Sequence, residues 1–148
     1  MNIISFTIPG PPKGKGRPRA RVIPGKNGKR GFATMYTPKD TVQYENLAVM
    51  AFNDAAPGHI PIDSPLSARI VATWPIPKSM TKKKRALIAN GELQPGTKPD
   101  LDNVAKCILD ALNKIAYRDD SLIHTLHVQK IYGDYPHVKV ELYWEGSE

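Results

Sequence analysis

Asp100, Asp102, Lys106, Asp119 and Asp120 have the types and spacing to do chemistry on a phosphate ester. Asp100 and Asp102 flank Leu101, Lys106 follows four residues after Asp102, and Asp119 and Asp120 are adjacent. Mg²⁺ takes oxygen ligands, keeps several waters, and is usually held by one or two carboxylates plus substrate phosphate. Three carboxylates brought together from this set suit one such ion, or two that share a carboxylate; Mn²⁺ is an alternative occupant. An ion held there polarises a phosphoryl oxygen and activates water for in-line attack. Lys106 then supplies fixed positive charge where phosphate charge builds up. A structural account competes. Asp residues at a helix start cap it and oppose its dipole, and Asp119-Asp120-Ser121 also reads as an ordinary polar turn.

These residues need a helix to position them, and the sequence supplies one. Pro99 ends the preceding segment and Asp100 suits an N-cap. Leu101, Val104, Ala105, Ile108, Leu112 and Ile115 then recur at the spacing of one buried helix face. Asp102, Lys106, Asp110 and Asn113 fall in a polar stripe beside that face, with Asp102 one turn before Lys106.

The Asp100-Leu-Asp-Asn motif, Lys106, the Asp110-Ala-Leu run and the Asp119-Asp120 pair before a strand resemble the RusA family of Holliday-junction resolvases. The resemblance is strongest over residues 98–132. The opening strand that ends in Pro9-Gly-Pro-Pro, with the basic loop behind it, extends it to nearly the whole chain. It implies a small homodimeric, Mg²⁺-dependent endodeoxyribonuclease that cuts four-way DNA junctions by paired symmetric nicks in recombination and repair. Carried over, Asp100, Asp102, Lys106 and Asp120 are the catalytic residues, and Asp100, Asp102 and Asp120 the metal ligands. A two-fold dimer matches the two-fold junction. Two stretches depart from the family pattern: residues 78–97, absent from the shortest members, and the Gly-rich basic loop at residues 13–21.

The rest of the chain suits an anionic partner. Lys and Arg outnumber Asp and Glu by 21 to 14, a net charge of +7, which favours nucleic acid. Lys13, Lys15, Arg17, Arg19 and Arg21 crowd a stretch whose Pro and Gly forbid a helix. Lys82, Lys83, Lys84 and Arg85 lie on a short helix expected over residues 79–89. Both runs are candidate DNA contacts, against the plainer account of solvated surface. No Gly-x4-Gly-Lys-Ser/Thr loop is present. His124 and His127, an odd number apart on an expected strand, point to opposite faces and do not share a metal. A single cysteine, Cys107, suits a reducing cytoplasm and is expected to pack. No apolar run approaches membrane-spanning length, and the start of the chain lacks signal-peptide features.

The elements that complete the scaffold follow in order. Ile4, Phe6 and Ile8 alternate as a strand, and residues 22–36 form a hairpin turning at Asn27-Gly28. A helix capped by Thr37 buries Tyr44, Leu47, Ala48, Ala51 and Ala55. Leu66, Ala68, Ile70, Ala72 and Trp74 mark a strand. The chain closes with strands over residues 122–132 and 138–144, expected to pair as an antiparallel hairpin, and a frayed tail at residues 146–148. This is an α/β or α+β fold, a mixed sheet with helices packed on it, in one small domain spanning residues 1–148. Rival functions are a nuclease for other branched DNA, a non-catalytic DNA-binding dimer, and a structural dimerisation protein that binds polyanions.

Overall fold

The computed structural model describes residues 1–146. Of the tail expected to fray, Ser147 and Glu148 lie outside the described residues. The alternation of Leu66, Ala68, Ile70 and Ala72 creates the central strand, β4 (Leu66–Pro75), and all four side chains are buried. Its neighbours use the same period-two pattern: Phe6 and Ile8 on β1 (Asn2–Pro9), and Val138, Val140 and Leu142 on β6 (His137–Trp144). β5 (Ile123–Gly133) forms the far edge, with no fully buried residue. The sheet order is β1-β6-β4-β5, antiparallel except for the parallel β4–β5 pair.

Two helices cover one face. α1 (Lys39–Ala55) buries Thr41, Tyr44, Ala48 and Phe52, and the Phe52 ring meets Phe6 edge-on at 5.6 Å. The apolar face predicted after Asp100 becomes α3 (Leu101–Leu112), which buries Val104, Ala105, Cys107, Ile108, Ala111 and Leu112. Burial pushes the Cys107 thiol up to about 11, so it packs as a small apolar group. α2 (Lys82–Ala89) stands off the core, with Thr81 as its N-cap and no buried residue. The hairpin β2 (Arg19–Ile23) and β3 (Phe32–Tyr36) forms a separate two-stranded sheet. The opposite face of the main sheet is open, and there Arg69 pairs with Glu141 at 3.2 Å. The result is the expected mixed α+β fold with a mixed sheet.

Three expectations need correction. β5 and β6 do not form a hairpin, because β4 lies between them. Crossing two strand spacings takes about 10 Å. The short link at residues 134–136 can span that because β4 ends at Pro75, opposite Gly133. Thr37 is not the cap of α1: Pro38 holds that position, without a side-chain cap hydrogen bond. Asp110 leaves the polar stripe of Asp102 and Lys106, because at about 100° per residue it stands about 80° round the helix from Asp102, where its carboxylate meets Lys15.

Candidate active site

The start of α3 is held from outside by the loop after β1. The Lys15 N–H donates to the Asn103 carbonyl at 3.1 Å, and the Gly16 N–H donates to Thr41 Oγ1 at 2.9 Å. A Cβ on Gly14 would lie 3.0 Å from Pro99 Cβ and 3.2 Å from Asn103 Cβ, so any larger residue would press the loop away from the start of α3 by a few tenths of an ångström. Lys15 completes the clasp. Its ammonium lies 3.1 Å from Asp110 Oδ2 and 3.5 Å from Glu45 Oε2, joining α1 to α3. Burial alone would lower the Lys15 pKa, but the hydrogen bond and charge of Asp110, with Glu45, raise it.

This clasp leaves a cleft of about 530 Å³ lined by Lys13, Gly14, Trp74, Lys98, Pro99 and Asp100. Asp100 occupies the N-cap position but makes no side-chain cap hydrogen bond. The capping account therefore fails for its carboxylate, which stays exposed at the cleft. Asp102 and Lys106 are exposed on the next flank of α3, where with Leu101, Ala105, Leu109, Leu126 and Val128 they border a mainly apolar groove between α3 and β5. Among the described residues, no ion pair engages Lys106.

The later pair divides in role. The Asp119 carboxylate accepts from the Ser121 N–H at 3.1 Å and lies 3.5 Å from Lys114 Nζ. The Ser121 hydrogen bond, helped by Lys114, holds its carboxyl below the usual range. Asp119 thus caps the 3-10 turn Asp120–Leu122, as the polar-turn account expects. Asp120 is exposed; its backbone N–H donates to Asn113 Oδ1 at 3.1 Å and its carbonyl accepts from the Ile123 N–H, while no ion pair among the described residues engages its carboxylate.

That hydrogen bond places Asp120 at the C-terminal end of α3. The start of the helix, with Asp100 and Asp102, is roughly 16 Å away at 1.5 Å per residue. The acids expected to converge therefore do not meet within one chain. Among the described residues, no group of three or more His, Cys, Asp or Glu side chains is placed to hold a metal ion. Asp100 and Asp102 alone offer oxygen donors that fit part of a hard-cation shell.

Over residues 9–143 the sequence matches the family described as Endodeoxyribonuclease RusA. The chain belongs to the RusA family. It is also 37% identical over 142 residues to an uncharacterized protein of Bacillus subtilis (strain 168), YqaN, covering 95% of each chain. RusA-family membership makes phosphodiester hydrolysis in DNA the coarse chemistry of this fold. No helix is long and apolar enough to cross a membrane, among the described residues.

The basic residues fare unevenly at this RusA-type site. Lys13, Arg17, Arg19, Arg21, Lys82, Lys83 and Lys84 are exposed. Arg85 is exposed as well, but its guanidinium folds back, donating to the carbonyls of Met80, Pro77 and Lys78. Lys15 is spent in the clasp. Sequence reasoning gave no role at the cleft to Lys98, Trp74 or Lys130. The Lys130 ammonium sits 4.9 Å above the Trp74 ring and donates to the Thr97 carbonyl at 2.7 Å. Trp74 carries one readable signal: it closes the strand that precedes the crossover to α3.

Lys15→Met should act on stability. It leaves Asp110 and Glu45 half-buried without their cation, costing about 1–3 kcal/mol in denaturant melts. The raised pKa makes the native contribution full at neutral and mildly alkaline pH, and lost only as pH rises through the folded-state value. A variant of wild-type stability with a flatter salt dependence of DNA binding would show that Lys15 faces phosphate.

Proposed function

We propose that this chain is a homodimeric, divalent-metal-dependent endodeoxyribonuclease that resolves four-way DNA junctions in the cytoplasm by paired nicks. The observation that carries this reading is the state of the α3 start: the exposed carboxylates of Asp100, which makes no side-chain cap hydrogen bond, and Asp102, with Lys106 unpaired among the described residues and a cleft bearing Lys13 and Lys98. Family membership supplies the substrate class.

The third acid supports the dimer. A second copy packed across the α3–β5 groove, with its α3 antiparallel, would bring Asp120 of the partner subunit to Asp100 and Asp102. The groove suits such a contact: Leu126 is 45% exposed on an edge strand, with Leu109 and Val128 beside it. Two-fold symmetry then yields two equal sites at fixed separation, as two symmetric nicks require. Asp100, Asp102 and the partner's Asp120 would hold Mg²⁺ or Mn²⁺, which when bound supplies positive charge against the scissile phosphate. Lys106 sets its ammonium beside that phosphate, where charge accumulates. Lys13 and Lys98 hold neighbouring phosphates and so fix the strand.

The test is a synthetic four-way junction incubated with protein and Mg²⁺ and read on a denaturing gel. Symmetric nicks near the branch point are expected, absent with chelator and absent on linear duplex. Cutting of flaps or nicked duplex in preference to junctions would replace the resolvase reading with a broader nuclease. Binding without cutting would leave a DNA-binding dimer.

A further inference from the structure

Among the described residues, no further strand pairs with the β2–β3 hairpin. Of its ten strand residues only Ile23 is less than exposed. Val22 is 75%, Phe32 59% and Met35 63% exposed. An isolated two-stranded ribbon is marginal in water, so such a surface implies an occupant. Charge identifies it. The first acidic residue of the whole chain is Asp40, while Lys13, Lys15, Arg17, Arg19, Arg21, Lys26, Lys29, Arg30 and Lys39 all precede it.

The register sorts these groups. Arg19 pairs with Tyr36, Arg21 with Thr34 and Ile23 with Phe32, so two guanidinium groups and two aromatic rings share one face. The Arg21 guanidinium lies 5.8 Å above the Tyr36 ring. Lys26, Lys29 and Arg30 crowd the tip, where Asn27 and Gly28 take positive φ values of 51° and 75° and the Lys29 N–H donates to the Lys26 carbonyl at 3.0 Å. The root is fixed. Gly16 is bonded to Thr41 and packed against Pro38, beside the loop that clasps the start of α3.

We propose that this hairpin is a β-ribbon arm laid along the groove of one duplex arm, gripping its backbone on the way out from the active-site cleft. The inference rests on the nuclease reading above. A two-stranded ribbon fits the major groove. At about 3.3 Å per residue, a reach from Arg19 to the Asn27-Gly28 tip is between roughly 15 and 30 Å. With base pairs about 3.4 Å apart along the helix axis, that covers roughly four to nine base pairs.

Hydroxyl-radical footprinting on a four-way junction in Ca²⁺ tests this. Three proteins are compared: wild type, Lys26/Lys29/Arg30→Ala, and a variant with Gly-Gly joining Arg19 to Tyr36 in place of residues 20–35. Wild type should protect roughly four to nine base pairs along each gripped arm. The excised variant should lose that protection. The tip variant should flatten the log–log salt slope by up to about 2.7 units per protomer, at about 0.9 per phosphate. Should the excised variant fail to fold, the tip variant decides, since it changes only exposed side chains. An unchanged footprint in the variants overturns the proposal. So does an unchanged footprint with a fall from dimer to monomer in sedimentation, which gives the arm to a second copy. Wild type that fails to bind any DNA rejects the nuclease reading, and the arm with it.

Discussion

Asp102→Asn should cost junction cutting about two orders of magnitude or more while leaving junction binding intact. The substitution removes one charge and almost no volume from an exposed side chain. Its structural cost is limited to the favourable interaction of a first-turn carboxylate with the helix dipole, about 0.3–1 kcal/mol. Stability and activity thus separate on one substitution. If Asp102 only served the helix, melts would shift slightly and cutting would persist. Asp100→Asn gives a cleaner contrast, because its carboxylate makes no cap hydrogen bond that could be lost. Binding should hold or tighten in both variants, since each carboxylate repels the phosphate it faces. Single-turnover rates on a labelled junction, set beside a binding titration, read both quantities. Wild-type rates in both variants would remove these acids from the chemistry.

Mixing two inactive variants should restore nicking. Asp120→Asn alone is expected to abolish cutting, whereas Asp119→Asn should chiefly loosen the turn that Asp119 caps. Now let Asp102→Asn and Asp120→Asn chains assemble together by co-expression under separate tags. If each site draws Asp102 from one subunit and Asp120 from the other, a mixed dimer carries one site with both defects and one intact. Random assortment then leaves about a quarter of sites whole. Those dimers should cut one strand of a junction and leave the symmetric strand uncut. If each site lay within one chain, every site in every dimer would be damaged and no nicking would return. The measurement therefore reports on where Asp120 acts, independently of how much it contributes.

Periodicity read some of these features and missed others for definite reasons. The burial of Leu66, Ala68, Ile70 and Ala72, and of Val104, Ile108 and Leu112, follows from local repeats of two and of three-to-four residues, which the sequence displays directly. Asp100 and Asp102 were legible as candidates because both stand at one helix start. Asp120 was not placeable, because spacing along the chain does not say to which end of a helix the following turn returns; Asn113 holds it at the far end. Lys15 resembled its basic neighbours until its partners, Glu45 and Asp110, were seen. Strand order was equally hidden: the alternation on β6 identifies its buried face but not the strands that flank it.

The position of β6 also bears on how the protein is made. Among the described residues, β1 finds its sheet partner only in β6, residue Asn2 opposite Trp144. A nascent chain emerging from the ribosome therefore carries its first strand unpaired until β6 has been made, and such non-local pairing is slow to form. A product terminated before His137 would leave both β1 and β4 with open edges, which invite aggregation. Such a fragment would keep every acid and lysine of the candidate site, yet lack the strand that joins β1 to the β4–β5 pair. A sheet fit to carry the candidate site then arrives only once β6 has been made.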